Sequence, residues 1–433
     1  MAGVPVSLPV ADASPQASST NNRFALSVLT SLFFMWGFLT CLNDILIPHF
    51  KAAFSLSYAK AMLVQTVFFA AYFIVSLPAG RLVGRVGYHR GIVIGLGTAA
   101  LGCFAFYPAA ASRSYETFLA ALFILASGIT ILQVSANPFV AVLGPPQTAS
   151  ARLTTAQAFN SLATTVAPFF GAAFILSHAA KNATEIAALA PAEAEAYRLA
   201  EAQAVQLPYV GLAVALLVLG GLMAMIKLPR IDAGPTDADA GGYAALGAHK
   251  HLIWGAVAIF AYVGGEVAIG SFLVNYLKEP AIAGLSEAQG AHYVSYYWGG
   301  AMVGRFAGAI TLRMFRPTRV LAFHVALVLG LLILTMNTTG AVAMWSVLAI
   351  GLFNSIMFPT IFTLSLDGLG SATSKGSGLL CMAIVGGALI PLLQGVMADA
   401  NGVQVSFVVP LVCYAYLIWF ALRGSRRAGA LGG

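Results

Sequence analysis

Charged side chains are scarce in this 433-residue chain: they make up 9% of its residues, whereas hydrophobic residues make up 59%. Soluble domains carry about 25% charged residues. This shortage excludes an ordinary soluble globular protein and indicates that lipid is the main solvent of the chain. Because a bilayer of ~30 Å needs about 20 apolar residues per helix, there is room for about twelve spans and for no long soluble domain besides.

Several other signals are also missing. The four cysteines lie inside apolar stretches without metal-ligand spacing, so we interpret them as small core residues. The chain carries no phosphate-binding loop, which argues against direct use of ATP. We find no nucleophile–base pair and no metal cluster, so the sequence favours neither an enzyme nor a bound cofactor. Residues 1–22 lack the apolar stretch of a cleavable signal and are expected to form a disordered cytoplasmic tail.

Apolar runs bounded by charges or by Pro and Gly predict an all-α membrane protein. Two long connections interrupt the runs: 179–206 is expected to hold a short surface helix, and 228–251 to be a flexible cytoplasmic linker. The linker divides a six-helix half (23–227) from a second six-helix half (252–423), which a cytoplasmic tail (424–433) follows. The twelve predicted transmembrane helices cover residues 24–49, 59–82, 90–111, 117–143, 153–178, 207–227, 252–277, 289–312, 319–337, 341–366, 376–398 and 403–423.

Lysine and arginine indicate the orientation in the membrane. With the N-terminus inside, sixteen of the 22 basic residues lie on the inner side. Short cytoplasmic loops carry an excess of Lys and Arg, so the sequence predicts that both termini are cytoplasmic, in a bacterial inner membrane.

Internal repeats support two homologous halves. Three pairs of positions recur about 220 residues apart: Gly80–Gly84 with Gly304–Gly308, Pro138 with Pro359, and Pro168 with Pro391. Parallel repeats with a binding site between them are a known plan of secondary transporters.

Only two acidic residues lie well inside predicted spans, Asp44 in span 1 and Glu266 in span 7. Ionisable residues are costly in a bilayer and are therefore commonly functional. Each carboxylate could load and release a proton, or Asp44 could coordinate Na⁺. The structural alternative is an acid that holds two helices together.

Amide side chains follow on neighbouring spans. Gln133 and Asn137 are four residues apart, and Gln157 and Asn160 are three apart, so each pair shares a helix face. Amides both donate and accept hydrogen bonds without charge, which suits a ligand rich in hydroxyl groups such as a sugar. The alternative is that they hydrogen-bond neighbouring helices. Further candidates for ligand contact are Asn275, Asn354, Gln394 and the ring of Trp298.

The segment Gly80–Arg90 resembles the loop 2–3 signature of the major facilitator superfamily, with Gly84 where that signature has Asp. More specific segments resemble the fucose–proton symporter family, and its glucose/galactose branch in particular because Gln133 replaces a glutamate of the fucose branch. These segments are Leu42–Leu46, Ala136–Gly144, Ala156–Ser161, Glu266–Tyr276, Tyr297–Phe306, Gly351–Thr360 and Gly386–Gly395.

The resemblance implies a twelve-helix fold and symport of a hexose, glucose or galactose first, with H⁺ or Na⁺ by alternating access. It puts Asp44 at the position of the coupling aspartate, with Asn43 beside it as a sugar contact. Gly80, Arg85, Arg90 and Arg305 are expected to act in gating, and a monomer is expected by analogy. Two alternatives stay open: a symporter for fucose or N-acetylglucosamine, and a membrane sugar sensor that does not transport. No nucleic-acid partner is expected.

Overall fold

A computed structural model describes residues 19–54, 58–112, 114–174, 183–229 and 242–426. Within these ranges the regular elements are helices, with no strand. Of the predicted tails, 1–22 and 424–433, and the predicted linker, 228–251, residues 1–18, 427–433 and 230–241 lie outside the described residues. The α-helices are α1 Ser19–Phe54, α2 Tyr58–Val86, α3 Tyr88–Ser112, α4 Tyr115–Val142, α5 Ala149–Phe174, α6 Ala183–Ala187, α7 Pro191–Met225, α8 Lys250–Lys278, α9 Glu287–Met314, α10 Pro317–Asn337, α11 Gly340–Asn354, α12 Met357–Leu366, α13 Thr373–Met382, α14 Gly386–Asn401, α15 Val403–Ser406 and α16 Val408–Trp419.

The prediction of twelve spans in two six-helix halves is confirmed. Spans 1 to 5 are α1 to α5, span 6 is α7, and spans 7 to 9 are α8 to α10. The last three spans are each interrupted: α11 continues into α12, α13 into α14, and α15 into α16. Among the described residues, ten segments are long and apolar enough to cross a membrane. The two remaining spans, α5 and α9, are long enough but more polar, because they carry the amides, hydroxyls and arginine discussed below.

The sequence interpretation of 179–206 was wrong in one respect. The expected short helix is α6, Ala183–Ala187, but the rest of the Ala/Glu-rich part is the beginning of α7, which runs without interruption from Pro191 to Met225. Pro191 occupies the first helical turn, where its fixed φ is favourable, and Ala and Glu are strong helix formers. The helix α7 therefore begins 15 residues before its apolar segment, Gln206–Met225.

Small residues set the helix spacing within each half. In the first half α3 packs against α4 and α7. A Cβ atom added to Gly102 of α3 would lie 2.3 Å from the backbone nitrogen of Leu125, and one on Gly128 of α4 would lie 2.2 Å from that of Ala99. Only glycine permits this approach, and it is the usual way in which helices associate tightly in lipid.

The bundle has two ends, which we name by the chain. The terminal face is the end at which α1 begins and α16 ends, and the α2–α3, α4–α5 and α9–α10 connections also lie there. The opposite face carries α6, the first turns of α7 and the α8–α9 connection. The two halves meet mainly where α2 crosses α13 and where α5 crosses α9.

Candidate functional site

Three of the predicted amides form one hydrogen-bonded chain in the first half. Gln133 of α4 donates to the hydroxyl of Tyr72 on α2 at 2.7 Å. Asn137 donates to the Gln133 side-chain oxygen at 3.2 Å, and Gln157 of α5 donates to the Asn137 side-chain oxygen at 3.4 Å. The fourth amide, Asn160, points elsewhere and donates to the carbonyl oxygen of Phe33 on α1 at 2.9 Å. The structure thus joins α2, α4 and α5 through neutral polar groups.

Glu266 lies in α8 among polar groups of the second half. Its carboxyl group faces the Tyr262 hydroxyl and interacts electrostatically with Arg305 on α9. Its Oε1 atom is buried and has no hydrogen-bond partner among the described residues. Buried polar atoms are almost always paired, so an orphaned carboxylate oxygen indicates a place for a proton or for a ligand.

Arg305 lies deeper than the sequence suggested. The motif that contains it repeats Gly80–Gly84, but α2 ends at Val86 soon after that motif, whereas α9 continues to Met314. Arg305 is therefore about 13 Å inside the end of its helix at a rise of 1.5 Å per residue. Its guanidinium donates to the Ser161 hydroxyl of α5 and, at 3.3 Å, to the Ser355 carbonyl. It connects the two halves near the middle of the bundle rather than at a face, and its expected role in gating stays a prediction.

Asn354 was expected in the ligand site, but tyrosines enclose it. It is 0% exposed. Its amide nitrogen donates to Tyr297 at 2.8 Å, and its side-chain oxygen accepts from Tyr414 at 2.7 Å. Its backbone carbonyl accepts from Tyr262 at 2.9 Å. This tyrosine cluster joins α8, α9, α11 and α16 around Asn354, and the expected contact of Asn354 with a ligand stays a prediction. Sequence reasoning missed the cluster because single tyrosines in apolar helices carry no pattern.

Other predicted contacts are scattered. Gln394 of α14 is fully buried against Ser406, to which it donates at 3.2 Å, and so lies away from the amide chain. Asn275 is exposed, but it is nine residues from Glu266, which places the two on opposite faces of a straight helix. Trp298 is 43% exposed and its ring covers Gly270, where an added Cβ would lie 3.3 Å away.

Asn43 and Asp44 lie in α1, but their side chains are outside the part of the chain that the structure describes. Their predicted roles as sugar contact and coupling acid stay predictions.

The halves are in close contact at the terminal face. Ser150 of α5 and Thr363 of α12 share a hydrogen bond of 2.6 Å, and Ser377 of α13 donates to the Val134 carbonyl of α4 at 3.0 Å. Gly80 of α2, one of the expected gating residues, lies against α13: an added Cβ would be 2.9 Å from the Ser374 carbonyl oxygen. The terminal face is therefore closed in this structure.

The other expected gating residues, Arg85 and Arg90, are exposed at the α2–α3 connection.

A basic residue that the motifs did not single out stabilises the end of α4. Arg152, which is 8% exposed, donates to the carbonyl oxygens of Val140, Ala141, Gly144 and Pro145. A cation at the end of α4 satisfies carbonyls that have no partner in the helix and favours the helix dipole.

Two six-helix halves around a polar centre, closed at one face, define a membrane transporter of the alternating-access class. The chain belongs to the Major Facilitator Superfamily, whose sequence profile it matches over residues 25–383. It is 56% identical over 410 residues to a glucose/galactose transporter of Brucella abortus, covering 95% of this chain and 96% of that one. It is 35% identical to the L-fucose-proton symporter of Escherichia coli, covering 93% of each. The crystal structure of the transporter FucP in the outward conformation superposes with a TM-score of 0.88 at 34% identity, covering 94% of this chain and 100% of that chain.

Proposed function

We propose that this protein is a secondary active sugar transporter, a hexose–cation symporter with glucose and galactose as its first substrates. The observation that supports this most directly is the chain of neutral amides formed by Gln133, Asn137 and Gln157. Such groups can exchange hydrogen bonds with each other for hydrogen bonds to sugar hydroxyls, at little cost in desolvation. The similar proteins from Brucella abortus and Escherichia coli are both named for sugars.

The cation is proposed to be a proton, taken up by Glu266 and Asp44. The orphaned Oε1 atom of Glu266 supports this role, because a proton on that carboxyl group would remove the cost of burying a charge beside an unpaired oxygen. The 35% identical relative is named a proton symporter. Na⁺ held by Asp44 is the alternative that the experiment below separates.

We propose that the terminal face is cytoplasmic in a bacterial inner membrane, so that the side closed in this structure is the inner one. The excess of basic residues near that face supports this orientation. The moving parts would be the halves 23–227 and 252–423, joined by the linker 228–251. The protein would work as a monomer, by transport rather than by catalysis and without a bound cofactor. Sugar would enter from the opposite face and leave after the halves rock.

The test is uptake of labelled glucose into proteoliposomes under separately imposed pH and Na⁺ gradients, for the wild type and for Asp44→Asn. We expect accumulation driven by the pH gradient and lost in the variant, with counterflow retained. Accumulation driven by Na⁺ alone would replace the proton by Na⁺. If no hexose exchanges in counterflow, the proposed function is wrong.

A panel of competing sugars in the same assay separates the substrates. Competition by galactose at least as strong as by glucose is expected. If fucose or N-acetylglucosamine competes and glucose does not, the fold assignment holds and the proposed substrate is wrong. If sugar binds but neither gradient-driven uptake nor counterflow occurs, the protein is a sensor.

A further inference from the structure

Tyr243 is a residue of the linker that contacts both halves of the transporter. It immediately precedes a short 3-10 turn, Ala244–Ala248, which packs against α8 and buries Leu246 to 2% exposure. The next residues are also fixed to the second half, because the His251 ring lies 2.9 Å from the carbonyl oxygen of Asp367 at the end of α12. The backbone of Tyr243 is thereby attached to the second half.

The side chain of Tyr243, in contrast, binds the first half. Its hydroxyl donates to the carbonyl oxygen of Leu77 in α2 at 2.5 Å. One turn further along the same helix, the guanidinium carbon of Arg81 lies 5.1 Å from the centre of the tyrosine ring. A cation at this distance over an aromatic face is attracted by the ring. Two independent contacts therefore hold the linker to α2.

The contact lies at the crossing of α2 with α13. An added Cβ on Gly80 would lie 2.7 Å from the Tyr243 hydroxyl oxygen, and one on Gly378 of α13 would lie 3.2 Å from the same atom. Any side chain larger than hydrogen at either position would push against the hydroxyl. The two glycines thus leave the space that the hydroxyl occupies, and three separate parts of the chain meet at one point of the closed terminal face.

We propose that Tyr243 is a gating residue of the transport cycle, which clasps α2 to the second half and stabilises the state in which the terminal face is closed. Opening of that face requires α2 and α13 to separate, and Tyr243 cannot then keep its contacts with α2 while its backbone stays on α8 and α12. A contact that exists in one state only shifts the equilibrium toward that state. The inference depends on alternation between two states and not on which sugar is carried.

The hydroxyl remains a hydrogen-bond donor throughout the physiological range. Burial raises the pKa of Tyr243 to about 12, and the nearby positive charge of Arg81 opposes this increase only partly. The guanidinium of Arg81 is the second, charged partner of Tyr243 in this contact.

The test measures the terminal face directly, by spin-label distances between cysteines introduced at Lys227 after α7 and at Arg316 before α10. Both residues are exposed and belong to different halves. Three of the four native cysteines are buried, and the protein without introduced cysteines gives the labelling background. Tyr243→Phe keeps the ring over Arg81 and removes the hydrogen bond. Tyr416→Phe is the matched control, because it removes a bond of 2.9 Å from a tyrosine to the Trp254 carbonyl within the second half.

We expect Tyr243→Phe to raise the ratio of open to closed terminal face about fivefold, the change that corresponds to a net hydrogen bond of about 1 kcal/mol. Tyr243→Ala should raise it further, and Tyr416→Phe should leave it unchanged. Wild-type distances in Tyr243→Phe would overturn the proposal. So would an equal shift in Tyr416→Phe, which would indicate general loosening. The measurement needs no sugar, so its failure is separable from failure of the proposed transport function.

Discussion

Replacing Asn354 by Ala should destabilise the protein without changing sugar affinity, although the sequence placed this residue among the sugar contacts. The change removes the hydrogen bond that Asn354 donates to Tyr297 and the one that it accepts from Tyr414. Both tyrosines are fully buried. The bond from Tyr262 is to the backbone carbonyl and should survive. Side-chain hydrogen bonds in membrane proteins contribute about 0.6 kcal/mol on average and up to about 1.7 kcal/mol. Two lost bonds therefore predict a loss of about 1–3 kcal/mol in the free energy of unfolding.

The control is Gln157→Ala, which removes one member of the hydrogen-bonded amide chain in the first half. Gln157 is half-buried and makes a single long bond of 3.4 Å, so its removal should cost little stability. Loss of one neutral hydrogen bond to a bound sugar, about 0.5–1.5 kcal/mol, should weaken sugar binding about 2- to 13-fold. The two variants are thus expected to separate stability from affinity.

Reversible unfolding in mixed micelles gives the free energies, and binding of labelled sugar to the purified protein gives the affinities. The reasoning is refuted if Asn354→Ala is as stable as the wild type and has lost sugar binding, because the residue would then line the binding site in a state different from this one. It is also refuted if Gln157→Ala unfolds as easily as Asn354→Ala.

Four further outcomes follow from the contacts described above. Glu266→Gln should abolish accumulation driven by a pH gradient but keep counterflow, since an amide cannot carry the proton; full accumulation in this variant would exclude Glu266 from coupling. Arg152→Met should lower the free energy of unfolding by about 2–4 kcal/mol, since it leaves the carbonyls at the end of α4 without a charged donor; an unfolding curve like that of the wild type would contradict this. Gly80→Ala should favour the open terminal face in the distance measurement, whereas Gly97→Ala, with nothing within 4 Å of the added Cβ, should not; equal populations in both would contradict the packing argument. The difference in closed population between the wild type and Tyr243→Phe should be the same at pH 6 and at pH 10, because the raised pKa keeps the Tyr243 donor protonated over this range; a difference that disappears near neutral pH would contradict the clasp.

The number of helices was predictable because it depends on a local property. A run of about 20 apolar residues has one stable arrangement in lipid, whatever its neighbours are. The polar spans α5 and α9 were still recognisable, since their apolar residues outnumber the amides, hydroxyls and arginines they carry. The break in span 10 between α11 and α12 was not predicted, because nothing in the run around Ser355 differs from an ordinary apolar helix.

The amide chain was partly predictable for a similar reason. Spacings of three and four residues put Gln133 with Asn137, and Gln157 with Asn160, on common faces in any helix. Which way each face turns depends on packing, and Asn160 turned toward α1. The contacts of Asn354 and Tyr243 join residues far apart in the chain, so no spacing rule could find them. The shared motif of Gly80 and Gly304 did not predict the depth of Arg305 in the bundle, because the helix that carries Arg305 continues further toward the terminal face.

Symport requires that the charged and the neutral parts of the site influence each other, and a hydrogen-bonded path through Ser161 links them among the described residues. Arg305 donates to the Ser161 hydroxyl, and that hydroxyl donates in turn to the backbone carbonyl of Gln157 at 3.1 Å. While Ser161 and Ser355 hold the guanidinium, Oε1 of Glu266 has no hydrogen-bond partner in the part of the chain that the structure describes. If the α5–α9 contact opens, the guanidinium of Arg305 loses its hydrogen bond to Ser161. Glu266 is then available as its new partner, because the two side chains already interact electrostatically. Pairing of Arg305 with Glu266 would then disfavour a proton on that carboxylate. Under the proposed function, the position of one arginine would thus make the affinity of Glu266 for its cation differ between the two states, which is the condition for coupling.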